Sequence, residues 1–364
     1  MTRTAICVFV TNDLSFDQRM QRICSALVEF GYDVTLVGRT RKNSIPFSPE
    51  VYRTHRFSCW FNQGILFYLE INLRILFFAM RYSFDLFYAV DLDTISGVAL
   101  ASGLQRKKFI FDAHEWFAEV PELLNKPMKR KIWNGINYLF VPKASLRYTV
   151  NESLAKVFSE EMQVPFYVLR NVPTGHSEPE AHTPAKKIIL YQGVLNAGRG
   201  LESAIEAMPL LADFELHLAG EGDLSDELRI LAQESPAKDR ILFLGYQSPQ
   251  ALKEITRRAT IGLNLLESES KNYYYSLANK FFDYMHAEIP SVNMDFPEYR
   301  NIINEYPCAV MIKSCDAQLI ADAVNSTCDD NEAYARYCQS AAEAKMIFNW
   351  EHEKKKLRSW LEKL

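Results

Sequence analysis

Lys280 and Asp283 stand three positions apart within YYYSLANKFFDYMHAEIPSVNMDFPE, residues 273–298. On a helix that spacing puts both side chains on one face. A cation at a helix start, beside free backbone N–H groups, suits a phosphate. A carboxylate one turn on suits sugar hydroxyls. An ordinary exposed pair at this spacing is worth only about 0.2–0.5 kcal/mol, so the reading depends on what else the chain supplies. The stretch Gly193-Val194-Leu195-Asn196-Ala197-Gly198-Arg199-Gly200 lies between an apolar run, KIILYQ, and a helical one, LESAIEAM. A glycine-punctuated loop in that setting lets a ligand approach the backbone and turns N–H groups toward an anion, with Arg199 as the cation. The two elements together fit a nucleotide-sugar site.

Other residues are placed for chemistry at strand ends. His114 and Glu115 follow the apolar run Phe109–Asp112, at the carboxyl end of a predicted strand, where doubly wound sheets bind ligands. Glu115, beside His114, is a carboxylate of the kind that serves as a base. Asn12, Asp13 and Arg19 follow the first predicted strand. Gly220-Glu221-Gly222-Asp223 and Gly245-Tyr246 are turns at two further strand ends; they read equally well as plain turn glycines. Asp91-Leu92-Asp93 has the form of a metal-binding carboxylate pair, but it ends a strand and Asp93 reads as a helix N-cap. No other carboxylate or histidine spacing supports a metal, so none is expected. The seven cysteines are scattered without a CxxC pair and read as reduced thiols.

The elements that must hold these residues follow from periodicity. A chain of 364 residues suggests two domains, and 48% apolar with 24% charged residues is the composition of a soluble globular protein. The net charge of −4 argues against a nucleic-acid partner; basic residues are in excess in the first half and acidic ones in the second. Strands are predicted at 5–10, 33–37, 85–90, 108–112, 146–150 and 166–169, with a helix at 17–30 that carries Met20, Ile23, Cys24 and Leu27 on one face. The alternation restarts with strands at 187–192, 213–219, 240–245, 260–266, 290–294 and 308–312. Such alternation predicts parallel sheets covered by helices. The expected domains are 1–172 and 187–348, joined by a proline-rich polar linker, 173–186, with a last helix, 349–364, returning to the first domain. Two such halves place a ligand cleft between them.

Two segments of the first half bear on location. Residues 57–88 are crowded with aromatic and aliphatic side chains, but Glu70, Arg74 and Arg81 interrupt them, so no clean span of about 20 apolar residues results. Lys126 to Arg147 holds six basic residues and no acidic one, with Trp133, Ile136, Tyr138, Leu139 and Phe140 interleaved. That mixture suits an anionic membrane surface; the alternative is that these helices simply cover the sheet. The N-terminus reads as a first strand, not a leader. A cytoplasmic protein with peripheral contact at the inner face of a membrane is expected.

Taken in order and spacing, NDLSFDQRMQRICSALVEFGYDVTLVGR, FDAHEWFAEVPEL, IILYQGVLNAGRGLESAIEAM, LAGEGDL, ILFLGY, NYYYSLANKFFDYMHAEIPSV and FNWEHE resemble the GT-B glycosyltransferases. More narrowly, nearly the whole chain resembles the retaining family 4 (group 1) enzymes. The resemblance implies two Rossmann-like doubly wound domains facing a cleft. It implies transfer of a sugar from a UDP- or GDP-sugar to a glycan or lipid-linked acceptor, with retention and without a metal or other cofactor, as in cell-envelope polysaccharide synthesis. Gly193, Arg199, Lys280 and the backbone of Ser276 and Leu277 would hold the diphosphate, and Asp283 the ribose, as the second acid of a Glu-x7-Glu motif. Gly222 and Tyr246 would border the base. His114 would lie near the transferred sugar, and Asn12, Asp13 and Arg19 would approach the donor from the first domain. The chain departs from the family at Val194, where a basic residue is usual, and at Tyr275, where the first acid belongs. Glu267 and Glu269 are the nearby carboxylates that could replace that acid. The first alternative is a nucleotide-sugar 2-epimerase-like isomerase; the second is a non-catalytic partner subunit, whose best support is these two departures.

Overall fold

The computed structural model describes residues 3–15, 17–42, 44–120, 123, 125–175 and 187–364. Most of the expected linker therefore lies outside the described residues. The chain divides into two compact units, residues 1–171 with 354–364, and residues 172–353.

The first unit opens with β1 (Ala5–Phe9), α1 (Gln18–Glu29), β2 (Asp33–Thr40) and β3 (Arg53–Ser58). It continues through α2 (Gly64–Arg81), β4 (Leu86–Val90), α3 (Ile95–Gln105), β5 (Lys108–Ala113) and α4 (Pro127–Phe140), then β6 (Leu146–Thr149), α5 (Glu152–Met162) and β7 (Tyr167–Val168). Among the described residues its seven strands are ordered β3-β2-β1-β4-β5-β6-β7, and every pairing is parallel. β1, β4 and β5 are almost wholly buried, as expected of strands covered on both faces. Helix α1 buries Met20, Ile23, Cys24 and Leu27, and its Asp17 N-cap accepts from the Met20 N–H at 3.0 Å.

The second unit comprises β8 (Lys187–Gln192), α6 (Leu201–Ala207), β9 (Phe214–Ala219), α7 (Ser225–Glu234), β10 (Ile241–Gly245), α8 (Pro249–Arg258) and β11 (Ile261–Asn264). The short α9 (Lys271–Tyr274), α10 (Asn279–His286), β12 (Ser291–Met294), α11 (Pro297–Glu305), β13 (Ala309–Ile312), α12 (Ala317–Cys328) and α13 (Asn331–Lys345) follow. The strand order is β10-β9-β8-β11-β12-β13, again all parallel. The last helix, α14 (Trp350–Leu361), begins in this unit and ends in the first, where Trp360 stacks on Tyr167 at 5.1 Å and lies 5.8 Å from Tyr148.

Two expectations fail. β3 has no counterpart among the predicted strands: its sequence, RTHRFS, is polar because it is an edge strand with half its side chains in water. Asp93 does not cap α3. Thr94 holds the cap position without a side-chain bond, and Asp93 instead accepts from the Thr11 hydroxyl.

Candidate active site

In an open parallel sheet the ligand crevice forms beyond the carboxyl ends of the strands, where the strand order reverses. In the second unit that point lies between β8 and β11. The Gly193–Gly200 loop leaves β8 there, and the segment after β11 meets it where the Glu267 N–H donates to the Gly198 carbonyl at 3.0 Å. The loop is held from the other side by the turn after β9. A Cβ on Gly220 would fall 1.8 Å from the Gly193 carbonyl oxygen, and one on Gly222 would fall 2.4 Å from Asn196 Oδ1. Glycine at 222 is thus required by loop packing whether or not a base lies beside it. Tyr246 is 66% exposed just after β10.

Two cations influence each other at the loop. Lys280 is only 7% exposed; its Nζ sits 3.7 Å from the Tyr191 ring centroid and has no hydrogen-bond partner among the described residues. It also lies 3.6 Å from where a Gly193 Cβ would stand. Burial pushes the Lys280 ammonium well below its ordinary value, Arg199 pushes it further, and Asp283 partly opposes both. The Arg199 guanidinium lies 5.0 Å over the Tyr273 ring, and its buried Nε is likewise unpartnered among the described residues. Asp283 offsets only part of the cost of burying the Lys280 charge, and an anion seated at the loop relieves the rest. One turn beyond Lys280, Asp283 Oδ2 accepts from Gln192 Nε2 at 2.7 Å, and Gln192 Oε1 accepts from the Thr256 hydroxyl at 2.7 Å, which fixes the amide.

The loop before α10 is held by its own bonds. Ser276 spends its N–H and its hydroxyl on the Tyr273 carbonyl, at 3.1 and 2.7 Å, so its N–H already has an acceptor. The Ala278 N–H donates to the Tyr299 hydroxyl at 3.0 Å, and Leu277 is 7% exposed. Helix α6, just after Arg199, has seven residues, so its dipole is small. The charge of the site therefore rests mainly on Arg199 and Lys280. Glu267 lies beside the glycine loop, and burial with the charges of Glu269 and Glu202 raises its pKa.

In the first unit the order reverses between β1 and β4, and a buried polar network fills that end of the sheet. Asp112 is 0% exposed; it accepts from Arg19 Nη2 at 3.0 Å and Nε at 3.3 Å and from the Tyr88 hydroxyl at 2.9 Å. Burial alone would raise the Asp112 carboxyl, but Arg19 and His114 outweigh it and bring it to about 2. Asp91, at φ 58°, grips His114 twice: one carboxylate oxygen takes its backbone N–H at 2.7 Å, the other lies 3.3 Å from Nδ1. His114 Nε2 lies 3.0 Å from Arg19 Nε and 3.1 Å from Asp112 Oδ2. The first contact belongs to the neutral ring, the second to the protonated one. Burial lowers the imidazole, Asp91 and Asp112 more than reverse that, and it titrates at about 9. Glu115 is half-buried beside a small cavity lined in part by Trp116, Phe117 and Asn137. Asp13 turns to Ser15, Ser44 and Arg56, and Asn12 to Asp17 at 3.4 Å.

The strand ends thus bring Gly193, Arg199, Lys280 and Asp283 together in one unit, and Arg19 with His114 in the other. Tyr191, Tyr273, Gln192, Thr256 and Asp91 were not foreseen as their partners.

Two doubly wound parallel sheets of this order define the GT-B class, and solved structures of that class share the fold. A sucrose-phosphate synthase from Thermosynechococcus elongatus superposes with a TM-score of 0.81 at 14% identity, over 99% of each chain. HepE of Anabaena, solved in complex with UDP-glucose, does so with 0.76 at 14% identity, over 100% of each. WaaG, a glycosyltransferase involved in lipopolysaccharide biosynthesis, gives 0.74 at 11% identity over 98% of each. An uncharacterised glycosyltransferase of Methanocaldococcus jannaschii is 32% identical over 79 residues, 21% of this chain and 20% of that protein; the match spans a fifth of the relative's length. The family described as Glycosyltransferase Family 4 matches residues 18–176, and Glycosyl transferases group 1 matches residues 176–344. The chain belongs to these group 1, family 4-like glycosyltransferases.

Proposed function

We propose that this protein transfers a sugar from a UDP- or GDP-sugar to a glycan or lipid-linked acceptor, with retention and without a metal. The observation that carries the reading is the pair of buried atoms Lys280 Nζ and Arg199 Nε at the Gly193–Gly200 loop, neither with a hydrogen-bond partner among the described residues. Loss of the nucleoside diphosphate builds negative charge on the departing phosphate. Preorganised cations in a site of low dielectric stabilise that charge where it forms. Asp283, fixed by Gln192, is the ribose ligand, and His114 with Glu115 serves the transferred sugar and the acceptor.

The acceptor side is proposed to face an anionic membrane from the cytoplasm. No helix among the described residues is long and apolar enough to cross a membrane. Helix α4 instead exposes Met128, Ile132, Tyr138 and Leu139 beside exposed Lys126, Lys129 and Lys131, a pattern suited to the bilayer interface.

Calorimetric titration of the full chain with UDP, GDP, ADP and CMP tests the donor site. Binding of UDP or GDP, lost on Arg199→Ala, is expected; indifference to all four would sink the proposal. Product analysis with the preferred donor then separates the classes. An epimerase turns the donor over alone, a non-catalytic subunit binds without turnover, and a metal-independent transferase keeps its rate in chelator.

A further inference from the structure

The carboxyl ends of β2 and β3 border an open cavity of about 450 Å³, lined among others by Arg39, Arg41, Lys42, Ser58, Cys59 and Asn62. Among the described residues its walls carry three cations and no carboxylate. Arg39 is 7% exposed. Its guanidinium lies 4.1 Å over the Phe67 ring, Nη1 donates to the Asn62 carbonyl at 3.3 Å, and Nε has no partner among the described residues. Burial and then Arg41 lower the Arg39 guanidinium. Asp93 offsets part of that lowering, but the neighbouring carboxylates hydrogen-bond to other groups. Asp93 accepts from Thr11, and Glu70 takes the N–H groups of Trp60 and Phe61 at 3.0 Å and Arg74 at 2.7 Å. Arg41 is tied in place, because its N–H donates to Ser44 Oγ, which itself donates to Asp13. A buried arginine beside a second one, only partly offset by Asp93, favours an added anion; planar guanidinium groups match phosphate oxygens.

An apolar track adjoins this cavity. Between Cys59 and Asn62, Trp60 is 83% and Phe61 42% exposed. From Ile65 through Met80, every exposed position of α2 is apolar: Ile65, Leu66, Leu69, Leu73, Phe77 and Met80. The last five fall at intervals of three and four, one stripe about 21 Å long.

We propose that this is a subsite for an anionic amphiphile: a phosphate seated among Arg39, Arg41 and Lys42, and a hydrocarbon chain laid along the α2 stripe. A phosphorylated long-chain alcohol has that chemistry. The proposal rests on the lipid-linked acceptor reading and gives it a place on the first unit. A second copy of the chain is a poorer occupant, since a two-fold contact there would set the same cations against each other.

The test uses the full chain with excess UDP filling the nucleotide site, and farnesyl phosphate, farnesol and inorganic phosphate as probes, followed by Trp60 emission with Trp60→Phe as control. Farnesyl phosphate is expected to bind at least about tenfold more tightly than either fragment. Arg41→Ala/Lys42→Ala and Leu69→Asp/Leu73→Asp, all at exposed positions, should each weaken it about tenfold or more, the first pair alone affecting inorganic phosphate. Farnesyl phosphate affinity unchanged in both variants would overturn the proposal. So would inorganic phosphate binding as tightly as farnesyl phosphate, which marks a free-anion site, or a dimer in sedimentation that the Leu69/Leu73 variant dissolves. UDP titrated separately should bind both variants as it binds the parent. Failure of the parent to bind UDP would count against the donor site and leave this subsite to be judged on its own probes.

Discussion

Lys280 Nζ lies 3.7 Å from the centroid of the Tyr191 ring, buried and without a hydrogen-bond acceptor among the described residues. A cation–π contact is worth about 0.5–2 kcal/mol, less than a desolvated ammonium loses. The apo site is therefore strained electrostatically, and ligand binding relaxes it. Lys280→Met keeps the bulk and removes the charge. It should weaken UDP or GDP binding by about 1.5–3 kcal/mol, the range of a hydrogen bond to a charged group, or roughly 10- to 150-fold, while leaving the fold as stable or more so. Equal affinity in variant and parent would exclude Lys280 as a phosphate ligand.

Binding should also take up a proton. In the free protein burial and Arg199 hold the Lys280 ammonium well below its ordinary value; a diphosphate beside it raises that value again. Between the two, the bound form holds the proton and the free form does not, so affinity falls as pH rises through that window. Calorimetry in buffers of different ionisation enthalpy reads the uptake directly. Its persistence in Lys280→Met would assign the proton to another group.

Arg19 and Asp112 form the buried pair of the first unit, 4% and 0% exposed. Removing one partner of such a pair costs about 3–5 kcal/mol, because the other is left charged and buried. Tyr88 and His114 still reach Asp112, so Arg19→Met should fall at the low end of that range. The double variant Arg19→Met/Asp112→Leu should be more stable than the single one, which urea unfolding can measure. A double variant no better than the single one would mean that packing, not charge, sets the loss.

These residues mark how far the sequence could be read. Strands such as Ile188–Tyr191 and Phe109–Phe111 are uninterrupted apolar runs, and parallel sheets covered on both faces demand just that. The Lys280–Asp283 spacing was legible because helical neighbours are local. Tyr191 was not, since it meets Lys280 only once β8 and α10 pack, 89 positions apart in the chain. Asp13 was read as a ligand-facing loop residue; its carboxylate turns to Ser44 and Arg56, partners separated from it by β2. The Arg39 cavity was hidden for the same reason, because β3 and the Asn62 turn come together only in the sheet.

The basic, apolar face of α4 predicts vesicle binding. The protein should sediment with vesicles containing anionic lipid and much less with neutral ones, and added salt should weaken binding as it screens headgroup charge. Lys126→Glu/Lys129→Glu/Lys131→Glu should abolish the lipid preference without changing UDP affinity. Equal sedimentation with both vesicle types would remove the electrostatic part of the argument.

The last prediction concerns pH and His114. The folded protein holds the imidazolium to about pH 9, whereas an unfolded chain releases it near 6.5. A raised value of this kind gives stability that is complete below about pH 6.5 and is lost as pH rises toward 9. Across that window the loss is at most about 1.4 kcal/mol per pH unit. The difference in unfolding free energy between the parent and His114→Gln should therefore shrink steadily from pH 6.5 to 9.5. Because Asp91 and Asp112 both face the ring, Asp91→Asn should flatten the parent's own profile in part. Parallel profiles for parent and His114→Gln would show that the ring is neutral throughout, held by Arg19 Nε and not by the carboxylates.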